Sequence, residues 1–123
     1  MVDIDELLNN FKCGIKFEES FQQLVQISEK GDKRESILAS TSLASYYQNG
    51  RRKELDKAFA FWLKAARAGH AEAQFQVGEY YRMGWGNVEK NEDEAIQYYE
   101  WAANQGHSKA KDELLALEGQ QMS

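Results

Sequence analysis

Ala71–His107, AEAQFQVGEYYRMGWGNVEKNEDEAIQYYEWAANQGH, reads as one helix, a loop and a second helix. The first half places Ala73, Val77, Tyr80 and Tyr81 on one face at helical spacing, and the second half does the same with Ala95, Tyr98, Tyr99 and Ala102. Gly84 and Gly106 are stop signals, and Asn91 followed by Glu92-Asp93-Glu94 is a start signal, because carboxylates suit the positive end of a helix. Two such helices cannot hide their apolar stripes alone, so the chain must supply neighbours of the same kind.

It does so upstream. AFAFWLKAARAGH (Ala58–His70) aligns with AIQYYEWAANQGH (Ala95–His107), pairing Ala58 with Ala95, Trp62 with Tyr99, Ala65-Ala66 with Ala102-Ala103 and Gly69-His70 with Gly106-His107. LASYYQNG (Leu43–Gly50) likewise aligns with VGEYYRMG (Val77–Gly84), with a shorter loop in the first copy. Loops are where repeat arrays absorb length changes. After His107 a third copy begins, with Ala110 and Leu114 in the places of Ala73 and Val77. SFQQLVQISEKGD (Ser20–Asp32) has the spacing of the second helix of an earlier copy.

The positions Ala71, Ala73, Val77, Gly78, Tyr81, Gly84, Gly86, Val88, Ala95, Tyr99, Ala102, Ala103 and Gly106 follow A-x-A-x-x-x-L-G-x-x-Y-x-x-G-x-G-V and then A-x-x-W/Y-x-x-x-A-A-x-x-G. This pattern resembles the Sel-like repeat family of α/α-solenoids, relatives of the tetratricopeptide repeats. Asn87 is an insertion against it, and the first copy has Ala44 for the first glycine and RRKELDK for the Gly-rich loop. The resemblance implies an all-α chain, an α/α-solenoid of antiparallel helix pairs, that recognises a protein or peptide in a concave groove and has no catalytic role.

Composition points the same way. The chain has 123 residues, no proline, 28% charged and 42% hydrophobic residues, which suits long helices in one domain. One cysteine, Cys13, excludes an intramolecular disulfide and suits a reducing compartment. The N-terminus MVDIDELLNN lacks the basic residues of a signal peptide, and no apolar run reaches the ~20 residues of a membrane span. A cytoplasmic protein that contacts no membrane is therefore expected. A net charge of −5 argues against nucleic acid as a partner. The only basic cluster, Arg51-Arg52-Lys53, precedes Glu54 and Asp56 and reads as a solvated loop.

Seven helices are expected, over about 3–12, 16–30, 32–49, 54–68, 71–83, 92–105 and 108–118, with the tail EGQQMS frayed. Residues 1–32 would cap the N-terminal end, 33–70 and 71–107 would form two repeats, and 108–123 a closing helix and tail. Ala66 and Ala103 should be buried where helices touch, and each tyrosine pair should turn one ring inward.

Ser108-Lys109-Ala110-Lys111 matches S-x-x-K, but its companion elements S-D-N and K-T-G are absent, so Ser108 reads as a helix cap. His70 and His107 occupy equivalent positions in adjacent repeats, too far apart to share one metal ion. No cofactor motif is present, and Glu72, Glu79 and Asp112 read as carboxylates on solvated helix faces. The chain therefore reads as a non-enzymatic adaptor or scaffold. The alternative is an immunity- or antitoxin-type inhibitor whose acidic body covers a basic toxin surface. The partner-binding residues expected on the first helix of each pair are Glu72, Glu79, Arg82 and Met83 in the central copy, flanked by Thr41, Ser45 and Gln48 and by Lys109 and Asp112. Phe75 can serve packing or the groove. This mixture suits a polar peptide or a basic protein surface.

Overall fold

The computed structural model describes residues 3–50 and 53–121, and among them seven helices follow one another: α1 (Ile4–Cys13), α2 (Phe17–Lys30), α3 (Lys33–Asn49), α4 (Leu55–Arg67), α5 (Ala71–Met83), α6 (Glu92–Asn104) and α7 (Ser108–Gln121). α7 runs three residues past the expected end; Met122 and Ser123 lie outside the described residues, as do Arg51 and Arg52 of the basic cluster. Lys53 is exposed.

Side-chain caps start several helices. Asp3, Asp32 and Asn91 accept the backbone N–H groups of Asp5, Glu35 and Glu94 at 3.0, 2.8 and 3.1 Å, which satisfies donors that the helix itself leaves free. α5 and α7 are capped differently. His70 Nδ1 accepts the Ala73 N–H and His107 Nδ1 accepts the Ala110 N–H, each at 3.2 Å. Ser108 is thus the first residue inside α7 and exposed, not its cap. His70 has extended backbone, φ −76° and ψ 118°, which swings its imidazole over the first turn as an aspartate would be.

The helices stack as pairs, α1 with α2, α3 with α4 and α5 with α6, and α7 closes on α6. Three buried clusters run along the stack: Leu7, Phe11, Leu24, Ala39 and Leu43 at one end, Ala44, Trp62, Ala66, Val77 and Tyr80 in the middle, and Phe75, Ala95, Tyr99, Ala110 and Leu117 at the other. Phe61 packs against the first two and Tyr81 against the last two. Each pair therefore buries part of its stripe internally and completes its core against its neighbours, as in a solenoid.

Glycine is required at two contacts. A Cβ on Gly78 would stand 2.7 Å from Tyr99 Cε1 and 3.3 Å from the Ala95 carbonyl, so α5 and α6 meet here through bare backbone. Gly86, at φ +63°, would place a Cβ 2.6 Å from the Leu55 carbonyl, because the Trp85–Lys90 loop lies on the start of α4. The inserted Asn87 is also left-handed, at φ 62°, a conformation asparagine tolerates better than most residues. In the first copy Ala44 fills the Gly78 position and is fully buried beside Trp62.

Two packing expectations need correction. Ala66 is buried, but Ala103 is only half-buried at the edge of the Phe75–Tyr99 cluster. In the pair Tyr98-Tyr99 both rings are buried, since Tyr99 faces Gly78 on α5 while Tyr98 faces the preceding pair at Ala66.

Candidate functional site

α1, α3 and α5, the first helices of successive pairs, line a groove of about 790 Å³. α3 contributes Thr41, Ser45, Tyr46, Gln48 and Asn49, α5 contributes Glu72 and Gln76, and α1 contributes Asp5, Asn9 and Lys12; Trp62 and His70 also reach it. The surface is rich in amide and hydroxyl groups, with Phe11, Tyr46 and Trp62 as its aromatic portions. Such groups offer hydrogen-bond donors and acceptors to a polypeptide.

Gln48 has a structural task as well. Its Oε1 accepts the Trp62 Nε1–H at 3.0 Å and the Tyr80 O–H at 2.8 Å, so one amide oxygen ties α3, α4 and α5 together. Trp62 is 4% and Tyr80 0% exposed; burial pushes the Tyr80 hydroxyl up to about 12, although the hydrogen-bonded surroundings at Trp62 oppose this. In the second copy the corresponding work falls to Glu79, whose Oε1 accepts the Tyr99 O–H at 2.8 Å. Burial, followed by that carboxylate, raises the Tyr99 hydroxyl strongly.

Glu72 sits at the junction of the two repeats. Its Oε1 accepts the Gln76 Nε2–H at 3.0 Å, and its Oε2 lies 2.5 Å from His107 Nε2. Burial alone would raise the Glu72 carboxyl, but the bonds from His107 and Gln76 outweigh it and hold the group below its usual range. The His107 ring also stacks on Phe75 at 4.8 Å. His70 is pushed down by burial, against an opposing pull from Glu72. Both Nδ1 atoms are occupied by backbone N–H groups. Among the described residues no group of three or more His, Cys, Asp or Glu could hold a metal ion.

The ten residues expected at the partner surface thus fall in different places. Thr41, Ser45, Gln48 and Glu72 share the groove. Phe75 is 8% exposed and packs between Tyr99 and His107, so it belongs to the core. Glu79 is engaged by Tyr99, and Arg82 pairs with Glu113 of α7. Met83 is 54% exposed, near the end of α5, and Lys109 and Asp112 are exposed on α7. Outside the expectation altogether were Asp5, Asn9 and Lys12, because α1 lies beyond the recognisable repeat. The signal available for them was the polar face of an amphipathic N-terminal helix.

Comparison with known proteins agrees with this architecture. A crystal structure of a Sel1 repeat protein from Oxalobacter formigenes superposes with a TM-score of 0.75 at 30% identity, covering 95% of this chain and 47% of that one. The chain is 32% identical over 104 residues to chitin synthase regulator SKT5 of Saccharomyces cerevisiae and 34% identical over 91 residues to chitin synthase regulatory factor 4 of Schizosaccharomyces pombe. These alignments cover 81% and 72% of this chain, which spans only 14% of the length of either relative. Among the described residues no helix is long and apolar enough to cross a membrane. Residues 37–70 and 71–107 each match the Sel1 repeat, a family of protein-interaction scaffolds, and the chain belongs to that family.

Proposed function

We propose that this chain is a non-enzymatic interaction module that holds a segment of a partner protein in the groove between α1, α3 and α5. The observation that carries the reading is the groove itself: an open concavity of about 790 Å³ with mixed polar and apolar lining, formed jointly by three successive first helices. Asn9, Thr41, Ser45, Asn49 and Gln76 are the contact residues, with Asp5, Lys12 and Glu72 as its charges. Gln48 is shared between contact and fold, while Phe75, Glu79 and Arg82 act within the fold. The relatives named as regulators of chitin synthase fit a module that exerts its effect by binding another protein. The net charge of −5 favours a partner with a basic surface, meets a phosphate backbone poorly, and would make association salt-sensitive. Cys13, free and exposed, fits a reducing, cytoplasmic setting.

The test is affinity for a partner purified from the native host. Ser45→Arg fills the groove without touching the core, and Gln97→Arg on the exposed face of α6 is the control. The proposal expects Ser45→Arg to weaken binding at least ~10-fold and Gln97→Arg to leave it unchanged. Equal affinities for both variants and the parent protein would overturn it.

A further inference from the structure

A second concavity, of about 430 Å³, lies where the start of α2, the end of α3 and the start of α4 converge. Four aromatic residues line it, Phe17, Phe21, Tyr46 and Tyr47, together with two carboxylates, Glu18 and Glu54. The rings contact one another, with centroids 5.3 Å apart for Phe17 and Tyr46 and 6.2 Å for Phe21 and Tyr47, so they form one continuous aromatic wall. Ring faces carry negative electrostatic potential, and together with two carboxylates they attract a cation and repel a phosphate or any other anion.

The chain already shows what this surface accepts. Lys57, itself largely exposed, reaches back so that its Nζ lies 5.5 Å from the centre of the Tyr47 ring and 3.1 Å from Glu54 Oε1. On the other side of the pocket Phe17 stacks on Phe21 and on Phe11; among the described residues Glu18 makes no ion pair, and the Phe17 and Phe21 rings carry no cation.

We propose that this pocket binds the guanidinium of an arginine side chain on a partner protein, as an anchor separate from the groove. Guanidinium fits better than ammonium because it is flat, less strongly hydrated, able to stack on a ring face and able to direct two N–H groups at one carboxylate. The inference rests on the pocket alone and stands whether or not the groove is the main contact.

The experiment is an NMR titration of the whole chain, with isotope-labelled aromatic rings, using N-acetyl-arginine amide as probe and the neutral N-acetyl-citrulline amide as its match in shape. Arginine should produce saturable shifts in the Phe17, Phe21, Tyr46 and Tyr47 rings, and citrulline should not. Glu18→Gln with Glu54→Gln should weaken arginine binding about tenfold. Phe17→Leu, which keeps apolar packing but removes a ring face, should weaken it about threefold. Lys57→Ala, which frees Glu54 and the Tyr47 face, should tighten it about twofold. Tyr46 also borders the groove, so Gln76→Ala serves as a control that leaves the titration unchanged. An equal response to citrulline, indifference to the paired Gln substitutions, or loss of the response in Gln76→Ala would each overturn the proposal.

Discussion

Replacing Gln48 by leucine keeps most of the volume of the side chain and removes the one oxygen that accepts both the Trp62 N–H and the Tyr80 O–H. Both donors are then left inside the stack, since Trp62 is 4% and Tyr80 0% exposed. An unsatisfied buried donor costs about 1–3 kcal/mol. The two share one acceptor, and the Tyr80 hydroxyl can rotate, so the sum should fall near 2–4 kcal/mol and not at the upper limit of 6. For a domain of this length that corresponds to a melting temperature lower by roughly 8–16 °C. Gln48→Glu retains an oxygen acceptor and should recover most of the loss at pH 7. The assay is urea unfolding followed by tryptophan fluorescence and circular dichroism, with the slope compared between variants so that a changed unfolded state is recognised. A loss below ~0.5 kcal/mol in Gln48→Leu, within the range of an ordinary surface change, would refute the assignment of Gln48 as the tie between α3, α4 and α5.

Gly78→Ala should destabilise by about 1–3 kcal/mol, because the new methyl meets the Tyr99 ring at 2.7 Å with the Ala95 carbonyl behind it; thermal melting decides it. Ser40→Ala should leave stability unchanged or raise it by up to about 1 kcal/mol, since Ser40 is fully buried and its hydroxyl has no partner among the described residues. Burial holds His70 below its ordinary 6.5 in the fold, so the unfolded chain binds the proton more readily: stability is complete above about pH 6.5 and declines as pH falls from there. Glu72, also depressed, loses its contribution only in the more acidic range below 4.5. Melting temperatures measured from pH 7.5 to 5.5 should therefore fall in the parent protein and fall less in His70→Asn, which still caps the helix but does not titrate.

The helix order could be read from the sequence because each helix carries both a period of apolar residues and a local start or stop. Asp32, Asn91, Gly84 and Gly106 act through backbone groups one turn away, so their effect is visible without the fold. What depends on a neighbouring helix was not legible. Glu79 and Arg82 looked free for a partner because Tyr99 and Glu113, which engage them, stand 20 and 31 residues further on. Phe75 turned inward because His107 and Tyr99 offer it two ring faces. The histidine caps carry little sequence signal because histidine is not among the usual capping residues, although histidine recurs after glycine at both junctions. α1 lines the groove without any repeat signature, and its role emerges only from the stacking of α1 on α3.

The most direct test of groove binding is site-specific photocrosslinking. A benzophenone side chain placed in turn at Ser45, Asn49 and Gln76 in the groove, at Gln97 and Glu100 on α6, and at Glu89 in the loop is irradiated with the partner bound. The groove account predicts that one partner segment crosslinks at all three groove positions and not at Gln97, Glu100 or Glu89. Crosslinks confined to α6 or the loop, with none from the groove, would contradict it.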